Sequence, residues 1–169
     1  MCEQNRLKAV PLSAELHTGI VCGLLADKEN AAALHMLPTE QEGIAALCAE
    51  FRGIFEEAER DDDEYNFIIM KDSEPAAWLK LNGFSDDEAW ISMLVVGCKR
   101  QGVGMYAVSF AEEYIRSKGK AKVKINTTKD NIAANALYRK CGYTLCAGRE
   151  IEYEDGTVQP SNVYEKYIN

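Results

Sequence analysis

The sequence predicts a mixed α/β fold, with helices flanking a mostly antiparallel central sheet. Three observations carry that prediction. The middle of the chain holds three short segments rich in branched and aromatic residues, separated by turn residues. The last third alternates strand-like and helix-like segments, and the first third shows the three-and-four spacing of helices.

The elements follow in order. Ser13 is placed to cap a helix with Leu16, Ile20 and Leu24 on one face. After Pro38, Thr39-Glu40-Gln41-Glu42 forms a capping box. Behind it Ile44, Leu47, Cys48, Phe51, Ile54, Phe55 and Ala58 make one apolar stripe facing the core. Three strands are expected at Phe67 to Met70, Ala76 to Leu81 and Trp90 to Val96. Their links, Asp72-Ser73-Glu74-Pro75 and Asn82-Gly83 with Ser85-Asp86-Asp87, are short enough to demand antiparallel neighbours. A glycine loop then opens a helix bearing Val103, Tyr106, Ala107, Phe110, Tyr114 and Ile115, which stops at Lys118-Gly119. A strand at Val123 to Thr127 and a helix from about Asn131 to Lys140, ended by Gly142, come next. Two strands near Tyr143–Glu152 and Val158–Tyr167, joined by Asp155-Gly156, close the chain.

At 169 residues and 18.8 kDa, residues 1–169 suit one domain with a full core. The first residues lack a basic-then-apolar leader, and no apolar run approaches the eighteen or so residues that cross a bilayer. A cytoplasmic protein without a membrane partner is expected. A net charge of −8 and a pI near 4.9 argue against nucleic-acid binding. The same acidity is compatible with a cationic acceptor. The run Asp61-Asp62-Asp63-Glu64 reads as a solvated loop, with acceptor steering as the alternative. Six cysteines and two histidines show no C-x-x-C pair, so neither a metal site nor a Cys/His nucleophile is expected. Most of the cysteines read as reduced core fillers.

Chemistry concentrates at Lys99-Arg100-Gln101-Gly102-Val103-Gly104, between the apolar strand and its helix. Backbone N–H groups converge there on the positive end of a helix dipole, which makes a pyrophosphate site. Val103 and Met105 begin the helix, and Lys99 and Arg100 add positive charge. Gly102-x-Gly104-x-x-Ala107 also fits the dinucleotide fingerprint. The strand that should end in an acid reads Lys122-Val123-Lys124-Ile125-Asn126-Thr127, however, and has none.

The loop resembles the Q/R-x-x-G-x-G/A signature of the GNAT acetyltransferases, with Lys99 at its first position. Downstream, Asn131-Ile132-Ala133-Ala134-Asn135-Ala136-Leu137-Tyr138-Arg139-Lys140-Cys141-Gly142-Tyr143 is similar to the family's N-x-x-A-x-x-L-Y-x-x-x-G-F/Y. The resemblance implies that acetyl-coenzyme A binds where two parallel strands, Trp90–Val96 and Val123–Thr127, splay apart. It implies backbone contacts from Leu94, Val95 and Val96, side-chain hydrogen bonds from Asn131 and Asn135, and Arg139 and Lys140 beside the adenosine phosphate. A homodimer is left open.

The implied reaction is N-acetylation of a primary amine by direct attack. An amine of pKa about 10.4 is neutral in only about one part in 10³ at pH 7, a cost of roughly 4–5 kcal/mol. The site must take up that proton, steady an oxyanion and protonate a thiolate. By resemblance a backbone N–H near Val95 serves the oxyanion and Tyr138 serves the thiolate. Glu88, among Asp86 and Asp87 ahead of the strand, is the candidate base. Cys98 has no histidine to activate it as an acyl carrier. The acceptor is left open among antibiotic amines, polyamines, amino acids and protein amines. The alternative function is a silent acyl-coenzyme A-binding sensor or interaction domain.

Overall fold

A strand absent from the sequence reading starts the fold. The computed structural model describes residues 6–34, 41–152 and 156–169. In it β1 (Leu7–Pro11) pairs antiparallel with β2 (Glu64–Lys71) at the sheet edge. Five residues ending in proline give a weak strand signal, and an edge is where a sheet tolerates proline. The first third is therefore not wholly helical. Helices α1 (Ala14–Ala26), α2 (Lys28–Leu34) and α3 (Gln41–Ala58) follow. Pro38, Thr39 and Glu40 of the expected capping box lie outside the described residues, as does Asp155.

The inward face of α1 is broader than the expected stripe, of which Ile20 and Leu24 pack against the core and Leu16 does not. Ala14, Thr18, Val21, Cys22 and Leu25 are buried, whereas Leu16 is 71% exposed. Thr18 enters the core because its hydroxyl donates to the Ala14 carbonyl at 2.5 Å, leaving no unpaired donor. The Ser13 side chain does not cap α1. The Glu59 carboxylate, just past α3, accepts the Ala14 N–H at 2.7 Å instead. Cys22 and Cys48 form a disulfide between α1 and α3, their Cα atoms 5.9 Å apart. That pair departs from the reading of most cysteines as reduced core fillers; among the described residues Cys98, Cys141 and Cys146 are free, and Cys146 is exposed.

β2, β3 (Glu74–Asn82) and β4 (Ala89–Val96) form the expected meander. After α4 (Val103–Ser117), β5 (Lys122–Thr128), α5 (Ile132–Lys140), β6 (Thr144–Glu152) and β7 (Val158–Tyr167), the sheet order is β1-β2-β3-β4-β5-β7-β6. All described pairings are antiparallel except β4 with β5.

Two cores fill opposite faces of the sheet. Val21, Leu25, Phe51 and Phe55 pack on Ile68, Trp78 and Val95, whereas Val103, Ala107, Val108, Ala111 and Ile115 of α4 pack on Ile69, Leu79 and Ile91. Strand β4 changes parity between them. Leu81 pairs with Ile91 and Lys80 with Met93, so Ser92 is the extra residue of a bulge. Ala89 and Ile91 face α4 before the bulge, and Leu94 and Val96 pack on that side after it. An unbroken period of two would have turned the last two away.

Candidate active site

The bulge also marks where the sheet opens. β4 and β5 pair only from Ala89–Val123 to Ile91–Ile125, and beyond Ser92 they part. The Gly97 N–H donates to the Ala76 carbonyl at 2.8 Å, beside the pair Ala77–Val96. In an antiparallel ladder this makes Ala77–Val96 a non-hydrogen-bonded pair and Trp78–Val95 a bonded one. The backbone groups of Leu94 and Val96 therefore face the cleft, while those of Val95 are spent on β3. The Val95 side chain lies in the other core, 2% exposed. Of the expected Leu94, Val95 and Val96, the cleft N–H groups on β4 belong to Leu94 and Val96, on either side of Val95.

At the head of the cleft Lys99, Arg100, Gln101 and Gly102 turn the chain into α4. Arg100 has φ 58° and Gly102 φ 80°, both left-handed. Gly102 is the N-cap of α4 and offers no side-chain cap, so the first-turn N–H groups of Val103, Gly104 and Met105 have no partner within the helix. A Cβ on Gly102 would meet nothing within 4 Å. A Cβ on Gly104 would lie 3.1 Å from Leu137 Cδ2 and 3.8 Å from Val96 Cγ2. Gly104 therefore serves the close approach of α4 to α5 and β4, while the open space is at Gly102. Met105 is 43% exposed beside the loop, and Val103 is buried beneath it. Lys99 Nζ pairs with Glu29 at 2.7 Å and sits 3.8 Å from Asp27, and the Gln101 side chain meets Lys71.

The two asparagines have structural work. Asn131 caps α5, its Oδ1 accepting the Ala134 N–H at 3.1 Å. Asn135 is 5% exposed, and its amide donates to the Thr128 carbonyl at 2.9 Å and the Asn131 carbonyl at 2.7 Å. Its oxygen accepts from Asn162 Nδ2 at 2.8 Å and the Tyr164 hydroxyl at 2.7 Å. Both donors and the acceptor are taken, so Asn135 pins the β5 arm of the cleft to α5 and β7 and has no donor left for a cofactor. The sequence pattern named the right residue for the wrong task.

Tyr138, one turn on, is 5% exposed, with ring centroids 6.3 Å from Tyr143 and 6.0 Å from Tyr164. Burial pushes its phenol well above the ordinary tyrosine value, so it keeps its proton. Arg139 lies with its guanidinium 5.8 Å from the Tyr164 ring centroid, and Lys140 is exposed.

Glu88 is elsewhere. It precedes β4 at the paired end, about 20 Å of strand from Leu94 at roughly 3.3 Å per residue. Its carboxylate bridges Lys122 at 3.1 Å and Lys124. The Lys124 hydrogen bond and then Lys122 hold its pKa below the ordinary glutamate value. A carboxylate so held takes up protons poorly, and the structure does not bring it to the cleft. The acidic run is also remote, at the start of β2. Asp63 accepts the Ser85 N–H at 2.5 Å and the Gly83 N–H at 3.2 Å, and Glu64 pairs with Lys80 at 2.7 Å. A cavity of about 330 Å³ lined by Glu59, Asp62, Tyr65 and Tyr114 lies there, the length of the sheet from the glycine loop.

Among the described residues no group of His, Cys, Asp or Glu is arranged to hold a metal, and no helix is long and apolar enough to cross a membrane. The features that remain fit a ligand with a diphosphate on a polar arm. They are an uncapped helix N-terminus, open space at Gly102 and the facing edges of β4 and β5 beyond Ser92.

Comparison with known proteins meets this geometry. Streptothricin acetyltransferase of Escherichia coli is 30% identical over 87 residues, half of each chain. The chain spans about half the length of the curated relatives it matches. Among solved structures, the Salmonella typhimurium acetyl transferase that modifies the N-terminal serine of ribosomal protein L7/L12 superposes with a TM-score of 0.77. It is 19% identical, with 98% of this chain and 97% of that one covered. Spermidine N-acetyltransferase from Vibrio cholerae, in complex with CoA and spermine, gives 0.78 at 14% identity over 96% and 95%. The model of the Acetyltransferase (GNAT) family matches residues 27–143, which span α2, the meander, the glycine loop and α5. The chain belongs to the GNAT family of acetyltransferases.

Proposed function

We propose that the protein is an acetyl-CoA-dependent N-acetyltransferase acting on a primary amine by direct attack. One observation carries the reading: an uncapped α4 N-terminus with Gly102 in the left-handed region stands at the mouth of the β4/β5 cleft. The N–H groups of Val103, Gly104 and Met105 would hold the diphosphate, with Arg100 beside them. The Leu94 N–H and carbonyl and the Val96 N–H would bond the pantetheine amides. Acetyl-CoA, once bound, supplies the activated acetyl group and leaves as a thiol.

The chain's own part is to orient and to move protons. Cleft-facing N–H groups of Leu94 or Val96 are placed to donate to the acetyl oxygen where negative charge develops. Tyr138, kept protonated by burial, can offer its hydroxyl hydrogen to the departing thiolate and cannot act as the base. Glu88 is dropped as the base. The named relatives act on a protein N-terminus, a polyamine and an antibiotic amine, which supports an amine acceptor here. A thiol-release assay with spermidine, streptothricin and a peptide with N-terminal serine tests the reading. Turnover of one amine supports it; acetyl-CoA binding without turnover of any amine would favour the silent acyl-CoA sensor.

A further inference from the structure

The junction of α1 and α2 grips the cofactor edge of β4. Asn30 of α2 is 7% exposed, and its amide donates to the Leu24 carbonyl at 2.8 Å and the Val96 carbonyl at 3.2 Å. The Val96 carbonyl is one of the groups that the ladder geometry turns toward the cleft. Next along the chain, a Cβ on Gly97 would lie 2.7 Å from Leu24 Cδ2, so α1 approaches the backbone as closely as glycine allows. Lys99, two residues on, is held by Glu29 of the same junction. Three contacts thus join the helices of one face to the segment that leads into the glycine loop.

We infer that Asn30 is a positioning residue for the cofactor cleft. It fixes the end of β4 through the Val96 carbonyl, so that the Leu94 groups and the Val96 N–H are presented at constant spacing to the glycine loop. This rests on the acetyltransferase reading above. The reason is electrostatic and geometric. Beyond Ser92 the β4 edge has lost its β5 neighbour, and an unpaired carbonyl at its end would leave the strand free to shift. A side-chain amide from α2 replaces the missing ladder donor, using one of its two N–H groups on each carbonyl. Helices α1 and α2 and the cofactor edge of β4 then move as one body.

Asn30→Asp keeps the shape and turns the donor into a carboxylate facing two carbonyl oxygens. We expect KM for acetyl-CoA and the calorimetric Kd for CoA to rise about tenfold, equivalent to about 1.4 kcal/mol. Turnover at saturating acetyl-CoA should fall as well, because the Leu94 and Val96 N–H groups that Asn30 fixes are those placed to donate to the developing oxyanion. A merely structural residue would lower the melting temperature and leave KM and Kd within twofold, and that result overturns the inference. If Asn30→Asp does not fold, Asn30→Ala is judged by the same two constants. Failure of the parent protein to bind acetyl-CoA would overturn the functional reading itself. Binding by the parent with unchanged constants in the variants would overturn the role of Asn30 alone.

Discussion

Replacing Asn135 with alanine separates a structural asparagine from a cofactor ligand. The side chain makes four hydrogen bonds, but their loss is unequal. The Thr128 carbonyl still accepts the Asn131 N–H at 3.2 Å, and the Asn131 carbonyl still accepts the Asn135 N–H at 3.0 Å. Asn162 is half-buried, so its amide can turn to water. The Tyr164 hydroxyl, on a residue with no exposure at all, is orphaned. One buried unsatisfied hydroxyl costs about 1–3 kcal/mol. Adding the small cavity left by the amide brings the expected loss to roughly 2–4 kcal/mol. Urea unfolding should show it as a lowered midpoint with an unchanged slope. In Asn135→Ala/Tyr164→Phe no orphan remains, so the pair should be less destabilised than the two single losses added. A loss under about 0.5 kcal/mol together with a large drop in CoA affinity would refute the reasoning and return Asn135 to direct cofactor contact.

Tyr138→Phe should keep the ring packing and lower kcat by roughly 10²–10⁴ with little change in KM, as befits a proton given only in the transition state. Near-normal kcat would leave Tyr138 as packing. Glu88→Gln should leave turnover within a few-fold, because the carboxylate is held by Lys122 and Lys124 away from the cleft. A thousandfold loss would restore it as the base. Burial raises the phenols of Tyr138 and Tyr143 above the ordinary tyrosine value, so the unfolded chain releases those protons first. Their contribution to stability is full below about pH 10 and falls as pH rises through the raised values, so melting temperature should drop above about pH 10. A flat alkaline profile would contradict their burial.

What the sequence by itself determined is local chemistry and period. The turns at Asp72-Ser73 and Asn82-Gly83, the stripe through Phe51 and Phe55, the glycine loop that opens α4 and the helix that stops at Gly142 were legible because each depends on neighbours a few residues away. The splayed parallel pair was legible through resemblance alone. Tertiary structure decided the rest. β1 is a strand because β2 offers it an edge, and α1 buries Val21 and Leu25 because Phe51, Ile68, Trp78 and Val95 gather around them. Glu88 looked available until β5 brought Lys122 and Lys124 beside it. Asn135 looked like a ligand until Asn162 and Tyr164, more than twenty residues on, claimed its oxygen. Asn30 gave no signal, since its partner Val96 is 66 residues away. A side chain's hydrogen-bonding capacity is written in its type, but which partners consume that capacity is settled only when distant strands and helices meet.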